Sequence, residues 1–308
     1  MSAELHLAVA LDGAGSDPDA GRRADARPST LFTPAYWLSL VREAERGRLD
    51  FVTIADGGTV TGHADRVQGR LAALLIAARI APVTMGIGLV PVVGVAATEP
   101  FHVSTQLATL DYLSRGRAGW LAATAGSPEE AADHVETVRR LWDSWDDNTA
   151  IRDEPTGRFV NFDKRHDIDF TGRHSGVRGP SNTPRPPQGR PLVAALASGP
   201  AVAADLVFVP VGAPRPADAG AMVFADVAVS FADETPLEIA NRLLDERAGV
   251  DGFRLHPAEL PADLTAIVDE LLPILRERGA FRHEYTHTTL GGHLGLDRPA
   301  GRYAAARA

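Results

Sequence analysis

Residues 84–145 constrain the fold of this chain more than any other stretch. They read twice in succession as a buried strand, a short loop and a helix, with strands over 85–95 and 118–124 and helices over 101–113 and from Ser127 onward. Both strand segments are apolar and contain glycine, and the first is rich in β-branched residues, which is typical of strands buried on both faces. Two such units in tandem predict parallel strands joined by right-handed crossovers.

The rest of the chain continues this rhythm. Further strands are predicted over 5–11, 49–56, 191–197, 205–210, 221–230 and 250–255, and further helices over 34–46, 66–80, 233–248 and 260–278. Full helices follow strands one to four, seven and eight, whereas the connections after strands five and six are short. The pattern predicts an α/β fold, a (β/α)8 TIM barrel with truncated helices after strands 5 and 6. A doubly wound open sheet is the alternative, which the lack of a Gly-rich dinucleotide fingerprint disfavours.

Residues 146–190 interrupt the rhythm after the fourth helix. They are charged and proline-rich without sustained periodicity, which predicts a long functional or packing excursion, with a small hairpin over 164–177 that turns at Thr171 and Gly172. Residues 279–308 read as a polar, histidine-rich C-terminal tail. We predict one domain over residues 1–308.

Composition narrows the class of partner. The formal net charge is −9, which disfavours nucleic acid and anionic membranes as partners. The chain has no cysteine, so disulfides, thiolate nucleophiles and cysteine–metal sites are excluded. No signal peptide is evident, and no apolar run reaches the ~20 residues of a membrane-spanning helix. We therefore expect a soluble cytoplasmic protein that acts on a small molecule.

Five segments are distinctive in combination: AERGRLDFVTIADG (44–57), IGLVP with TEPFHVSTQLATLDYLSRGRAGW (87–120), VRRLWDSWDD (138–147), GRFVNFDKRHDIDFTGRHSGVRGPSNTPRPPQGRP (157–191) and RGAFRHEYTHTTLGGHLGLDRPAGRY (278–303). Together they resemble the bacterial luciferase-like, flavin-dependent monooxygenases, in the branch that contains nitrilotriacetate and dibenzothiophene-sulfone monooxygenases. The resemblance implies a TIM barrel that binds reduced FMN at the carboxyl ends of its strands and oxidises a small organic substrate with O2. It also implies a separate flavin reductase and a homodimer paired through barrel helices.

The resemblance also suggests which residues bind the cofactor. Asp56 ends strand two, Thr98 follows strand three, Thr124 ends strand four, and Ser198 with Gly199 follow strand five, where the family grips the phosphate. No residue is assigned a catalytic role. The tail histidines at positions 283, 287 and 293 have irregular spacing, which favours a solvated or interface role over a metal site.

The chain departs from the family pattern where the cofactor is expected. It is shorter than typical members, and the threonine-rich run that ends strand three in the family is replaced here by residues 92–97, with only Thr98 left. This leaves two alternatives to the monooxygenase interpretation. The first is a non-catalytic or flavin-poor relative that serves as a binding or partner subunit, and the second is an F420-dependent oxidoreductase of the same superfamily.

Overall fold

Eight parallel strands close into a barrel in the computed structural model, which describes residues 4–22, 28–55, 69–95, 98–123, 127–174, 176–199, 202–216 and 220–304. Each strand pairs with the next along the chain, and β8 pairs with β1. The strands are β1 His6–Leu11, β2 Phe51–Ile54, β3 Gly88–Gly94, β4 Gly119–Ala123, β5 Leu192–Leu196, β6 Leu206–Pro210, β7 Met222–Val229 and β8 Gly252–Pro257. The predicted (β/α)8 barrel is confirmed.

Helices follow six of the eight strands. They are α1 Pro34–Arg46, α2 Ala73–Ile80, α3 Pro100–Ser114, α4 Pro128–Asp143, α5 Pro236–Glu246 and α6, which runs through Ala262–Ala266, a π-helical turn Ile267–Leu271 and Leu272–Glu277. The described residues of the connections after β5 and β6 contain no helix, as the truncation predicted. Within the described ranges, no helix is long and apolar enough to cross a membrane.

Helix α2 is shorter than its sequence pattern predicted. The prediction covered 66–80, but among the described residues the helix begins at Ala73. Gly69 has a positive φ of 82°, and Ala72 is extended with ψ at 120°. A residue in the left-handed region cannot continue a right-handed helix, so α2 cannot run unbroken through Gly69.

The described residues of the excursion over 146–190 form two small hairpins, where the sequence pattern predicted one. Ala150–Asp153 pairs with Arg158–Val160, which the sequence pattern did not predict. The turn between them places Gly157 at a φ of 65°, and its N–H donates to the carbonyl of Glu154. The predicted hairpin is confined to Phe170–Thr171 and Gly176–Val177. Segments this short lack the alternation that reveals a strand in sequence.

Aromatic side chains fill the middle of the barrel, and the tail packs against its amino end. The rings of Phe51, Phe208 and Phe224 lie 5.6 to 6.3 Å apart and share a buried cluster with Leu290 of the short tail helix α7, Leu290–His293. A Cβ on Gly88 would come within 2.7 Å of Leu290 Cδ1, so this approach requires glycine. A cavity of about 300 Å³ remains between the tail and the starts of β5 and β6, with Leu192, Asp205 and Leu296 in its lining.

Buried His134 of α4 makes the stability of the fold depend on pH. Its ring lies 5.9 Å from that of Trp120, and burial lowers the pKa of His134 to about 4. The unfolded chain binds this proton near pH 6.5, so the contribution is present above that pH and is lost as the pH falls towards 4. We expect this residue to cost about 2 kcal/mol of unfolding free energy between pH 7 and pH 5. Urea denaturation at both pH values should show a smaller difference in His134→Leu than in the unaltered chain, and equal differences would contradict the prediction.

Candidate active site

Three strands carry charged residues into the barrel near its carboxyl end. Arg254 and His256 lie on β8, Asp226 lies on β7, and Asp12 directly follows β1. Asp226 is two residues beyond the inward Phe224 and is aligned with Arg254 in the β7–β8 register, so both point inward. We call these four residues the mouth network.

Arg254 anchors the mouth network to the aromatic core. Its Nε donates to Asp226 Oδ1 at 2.7 Å and its Nη2 donates to Asp226 Oδ2 at 2.8 Å. The guanidinium carbon lies 3.7 Å from the ring centroid of Phe208, a cation–π geometry, and the residue is 5% exposed. The Arg254–Asp226 ion pair therefore covers the aromatic filling of the barrel on its carboxyl side.

His256 lies between two carboxylates. Its Nε2 is 3.1 Å from Asp226 Oδ1, and its Nδ1 is 3.4 Å from Asp12 Oδ2. Burial lowers the pKa of His256, but its contacts with Asp12 and Asp226 outweigh burial and leave the pKa raised. Burial likewise raises the pKa of Asp226, yet hydrogen bonds from His256 and Arg254 leave it lowered. The network is thus a set of ion pairs that favours the imidazolium form of His256.

Sequence reasoning missed this network, although a signal was present. Arg254 and His256 are polar residues two positions apart within a predicted apolar strand, and Asp226 interrupts another such strand. Polar side chains at alternate strand positions share one face, and on a barrel strand near its carboxyl end that face is a candidate active site.

The predicted cofactor-binding residues are on the opposite wall of the barrel, so far as they are described. Thr98 is half-buried between β3 and α3, and exposed Ser198 forms a turn after β5 with half-buried Gly199. Asp56 and Thr124 lie outside the described residues. Thr98, Ser198 and Gly199 therefore lie at the carboxyl end, across the barrel from the mouth network on β1, β7 and β8.

This opposite wall fits one half of FMN, the cofactor that the resemblance implies. The inward residues at the ends of β3, β4 and β5 are small or apolar and partly accessible: Val92, Gly94, Ala123 and Leu196. Such a surface suits the flat isoalloxazine ring. The phosphate fits poorly, because the N–H of Gly199 already donates to the carbonyl of Leu196, and no helix begins in the described residues between β5 and β6.

Several residues in the segments that carry the family resemblance join structural elements at the amino end of the barrel. Gln188 of PRPPQGRP donates from Nε2 to Asp111 Oδ1 at 2.6 Å and to the carbonyl of Ala118 at 2.9 Å, and it accepts from the N–H of tail residue Gly291. Fully buried Asp143 of LWDSW pairs with Arg190. These contacts join the excursion, α3, α4 and the tail into one structure beneath the barrel.

Comparison with known proteins gives a family and several relatives. The family model described as luciferase-like monooxygenase matches residues 9–228. Component A of nitrilotriacetate monooxygenase from Aminobacter aminovorans is 34% identical over 62% of this chain and 49% of its own length. Dibenzothiophene-sulfone monooxygenase from Rhodococcus erythropolis is 31% identical over 56% of this chain and 45% of its own length. The branch inferred from sequence is confirmed, and the chain spans about half the length of these two relatives.

A third relative matches along nearly its whole length. One of the subunits of pristinamycin IIA synthase from Streptomyces pristinaespiralis is 36% identical over 86% of this chain and 90% of its own length. Among solved structures, EDTA monooxygenase from Chelativorans sp. BNC1 superimposes with a TM-score of 0.82 at 20% identity, over 96% of this chain and 99% of that one. The structural match shows a shared fold.

Proposed function

This chain belongs to the luciferase-like monooxygenase family, and we propose that it is a reduced-FMN-dependent monooxygenase of the two-component type. It oxidises a small organic substrate with O2, while a separate reductase supplies the flavin. Reduced flavin provides two electrons, so that one oxygen atom enters the substrate and the other leaves as water. F420 in place of FMN is the weaker alternative, because the distinctive segments match the FMN branch.

The observation that carries this proposal is the pair of unlike walls at the carboxyl end of the barrel. That end combines a charged wall on β1, β7 and β8 with a small, apolar wall on β3 to β5. Active sites of (β/α)8 enzymes lie at the carboxyl end. A flat ring and a polar substrate group would each find a suitable wall there.

We assign three roles to the residues at the carboxyl end of the barrel. We assign Asp56, Thr98, Thr124, Ser198 and Gly199 to the lining of the flavin pocket. Asp12 and His256 would contact the substrate, since Asp12 is the most exposed member of the mouth network and His256 lies against it. Arg254 and Asp226 would act as positioning residues that hold His256 in place.

A second function is favoured by one specific comparison. The relative that matches along most of its length is one subunit of pristinamycin IIA synthase. A second subunit of the same synthase is also similar to this chain, at 30% identity over 64% of this chain and 48% of its own length. This chain would then be the shorter partner of a longer luciferase-like barrel that holds the flavin. The poor fit of the phosphate supports the same alternative.

An anaerobic titration separates these functions. We expect the purified chain to bind reduced FMN with a dissociation constant well below ~1 mM, measured by quenching of tryptophan fluorescence. Failure to bind FMN in either redox state in that range would leave the partner-subunit function. Preferential binding of F420 would replace FMN as the cofactor.

We also propose that the chain forms a homodimer through the outer face of α2. Residues 71–86 contain one charged residue, Arg79, although Leu75 is 66% and Met85 is 69% exposed. Exposed apolar side chains along this stretch, Leu71, Leu75 and Met85, favour this side of the barrel as an interface between two copies. Light scattering should give twice the monomer mass, and Leu75→Asp should give the monomer. A monomer for the unaltered chain would refute the homodimer.

A further inference from the structure

We propose that the cavity between the tail and the starts of β5 and β6 is a second binding site, which takes a small organic carboxylate. We call it the amino-end cavity. Its volume of about 300 Å³ is at the lower end of the range for small-molecule sites. The mouth network lies at the opposite end of the barrel, so this inference does not depend on the proposed function.

The walls of the amino-end cavity come from several parts of the fold, and all the residues that line it belong to the described ranges. Arg139 belongs to α4, Leu192 is the first residue of β5, and Asp205 directly precedes β6. The tail supplies a further wall with Leu296 and Arg298. The cavity therefore forms where the tail packs against the barrel, and a ligand in it would contact both.

One part of the lining is apolar. It consists of Pro187, Leu192, Ala204, Leu296 and Pro299. Leu192 is only 4% exposed, and Leu296 packs against the buried cluster that contains the aromatic rings of the barrel. The hydrocarbon part of a ligand would be removed from water against these side chains, which favours its binding.

Three arginines also line the cavity, and two of them are the ends of one continuous series of ion pairs. In order, the series consists of Arg190, Asp143, Arg185, Asp147 and Arg298. Its three cations and two anions leave an excess of one positive charge. Because both ends of the series are cations that line the cavity, an anion bound there is attracted by this excess.

The third arginine of the lining is Arg139, whose side chain is 14% exposed. Its Nη2 donates to Asp205 Oδ1 at 2.9 Å, and its Nε is buried with no hydrogen-bond acceptor among the described residues. Within the same residues, the hydrogen bonds of Arg139 come from Nη2 and those of Arg190 from Nε and Nη2. The Nη1 of each arginine therefore keeps its N–H donors for a ligand, and guanidinium donors match the two oxygens of a carboxylate.

Two carboxylates in the lining do not reverse this preference. Asp205 is already used, because its Oδ1 accepts from Arg139 and its Oδ2 accepts from the N–H of Val193 at 2.9 Å. Asp297 is exposed, so solvent screens its charge. The arginines thus determine the charge of the ligand, and the apolar side chains determine the character of its body.

Calorimetric titration of the full chain with benzoate and with benzamide tests the class of ligand. The two molecules have nearly the same shape, but benzamide has no charge. We expect benzoate to bind with a dissociation constant below ~1 mM and benzamide to bind at least about tenfold more weakly. A benzoate dissociation constant above this limit would overturn the site, and a smaller difference from benzamide would overturn the preference for a carboxylate.

A pair of alanine variants tests the location. Ala204 lines the cavity, whereas its neighbour Ala203 is exposed outside the lining. Ala204→Leu should weaken benzoate binding by about tenfold or more because it fills the cavity, and Ala203→Leu should leave binding within about twofold of the unaltered chain. Equal binding by the two variants would place benzoate elsewhere on the chain and overturn the inference.

A pair of arginine variants on α4 tests the charge without a change in cavity volume as large as that of Ala204→Leu. Arg139→Gln should weaken benzoate binding by about tenfold and leave benzamide binding unchanged. Arg140→Gln is the matched control, because Arg140 pairs with Glu136 and lies outside the lining. Circular dichroism of each variant establishes that it is folded. If Arg139→Gln binds benzoate as tightly as Arg140→Gln does, the role assigned to Arg139 is refuted.

Discussion

Replacing Arg117 by methionine is expected to lower the free energy of unfolding by about 3 to 5 kcal/mol. Arg117 is 2% exposed, and its guanidinium donates to the backbone carbonyls of Ala81, Thr84, Ile87 and Ser114. Methionine fills similar space but leaves all four buried carbonyls without this donor. These carbonyls lie just after α2, in the segment before β3 and at the end of α3. The Arg117 side chain therefore joins three segments of the barrel, and the substitution removes the hydrogen bonds to all of them.

Urea denaturation monitored by tryptophan fluorescence measures this loss. Arg42→Met is the matched control, because Arg42 is exposed on α1 and the same substitution there should change stability by less than about 0.5 kcal/mol. Arg117→Lys should fall between the two, since an ammonium group has three donors and cannot reach all four carbonyls. An Arg117→Met variant as stable as the Arg42→Met control would refute the structural role assigned to Arg117.

Removal of Asp226 is expected to have the next largest effect, a loss of about 3 kcal/mol in Asp226→Ala. Asp226 is the shared partner of Arg254 and His256, and without it Arg254 remains buried on the aromatic core with no carboxylate facing it. Breaking one side of a buried pair costs more than the pair contributes, because the remaining charge stays desolvated. The pKa of His256 should also fall, since one of the two carboxylates that raise it is gone.

Two measurements check this prediction. Denaturation gives the loss of stability, with Asp245→Ala on the exposed side of α5 as a matched control that should be near neutral. NMR titration of the His256 ring gives the pKa in both chains. An unchanged pKa would mean that Asp226 does not stabilise the imidazolium, and the ion-pair description of the mouth network would be wrong.

The elements that sequence predicted well are those specified by local interactions. Ser127 accepts from the N–H of Glu130 and starts α4 where the capping pattern predicted it. Thr235 and Glu238 form a full capping box, which moves the start of α5 three residues beyond the predicted 233. Caps and apolar periodicity act over a few residues, so they are readable without knowledge of the fold. Gly69 shows where this kind of prediction fails. The sequence pattern predicted a helix over 66–80, but the positive φ of Gly69 is incompatible with a right-handed helix at that residue.

The candidate site was predicted only in part, for a physical reason. The family resemblance suggested Thr98, Ser198 and Gly199 as cofactor-binding residues and did not suggest the mouth network. Several residues of the distinctive segments have a structural role instead, such as Gln188, which joins α3 to the tail at the amino end of the barrel. The resemblance therefore identified the family, whereas the cofactor-binding residues that it suggests stay a prediction. Segments that build a framework can be retained while the residues around a mouth diverge.

Eight apolar strands, their helices and the shortened connections could be read from the order of residues alone, because hydrophobic period and helix caps depend on near neighbours in the chain. The meeting of Asp12, Asp226, Arg254 and His256 required the folded barrel. Asp226 and Arg254 are 28 residues apart, and they are aligned because β7 and β8 pair in a particular register. Asp12 reaches His256 because the barrel closes β8 onto β1, and no local pattern encodes that closure.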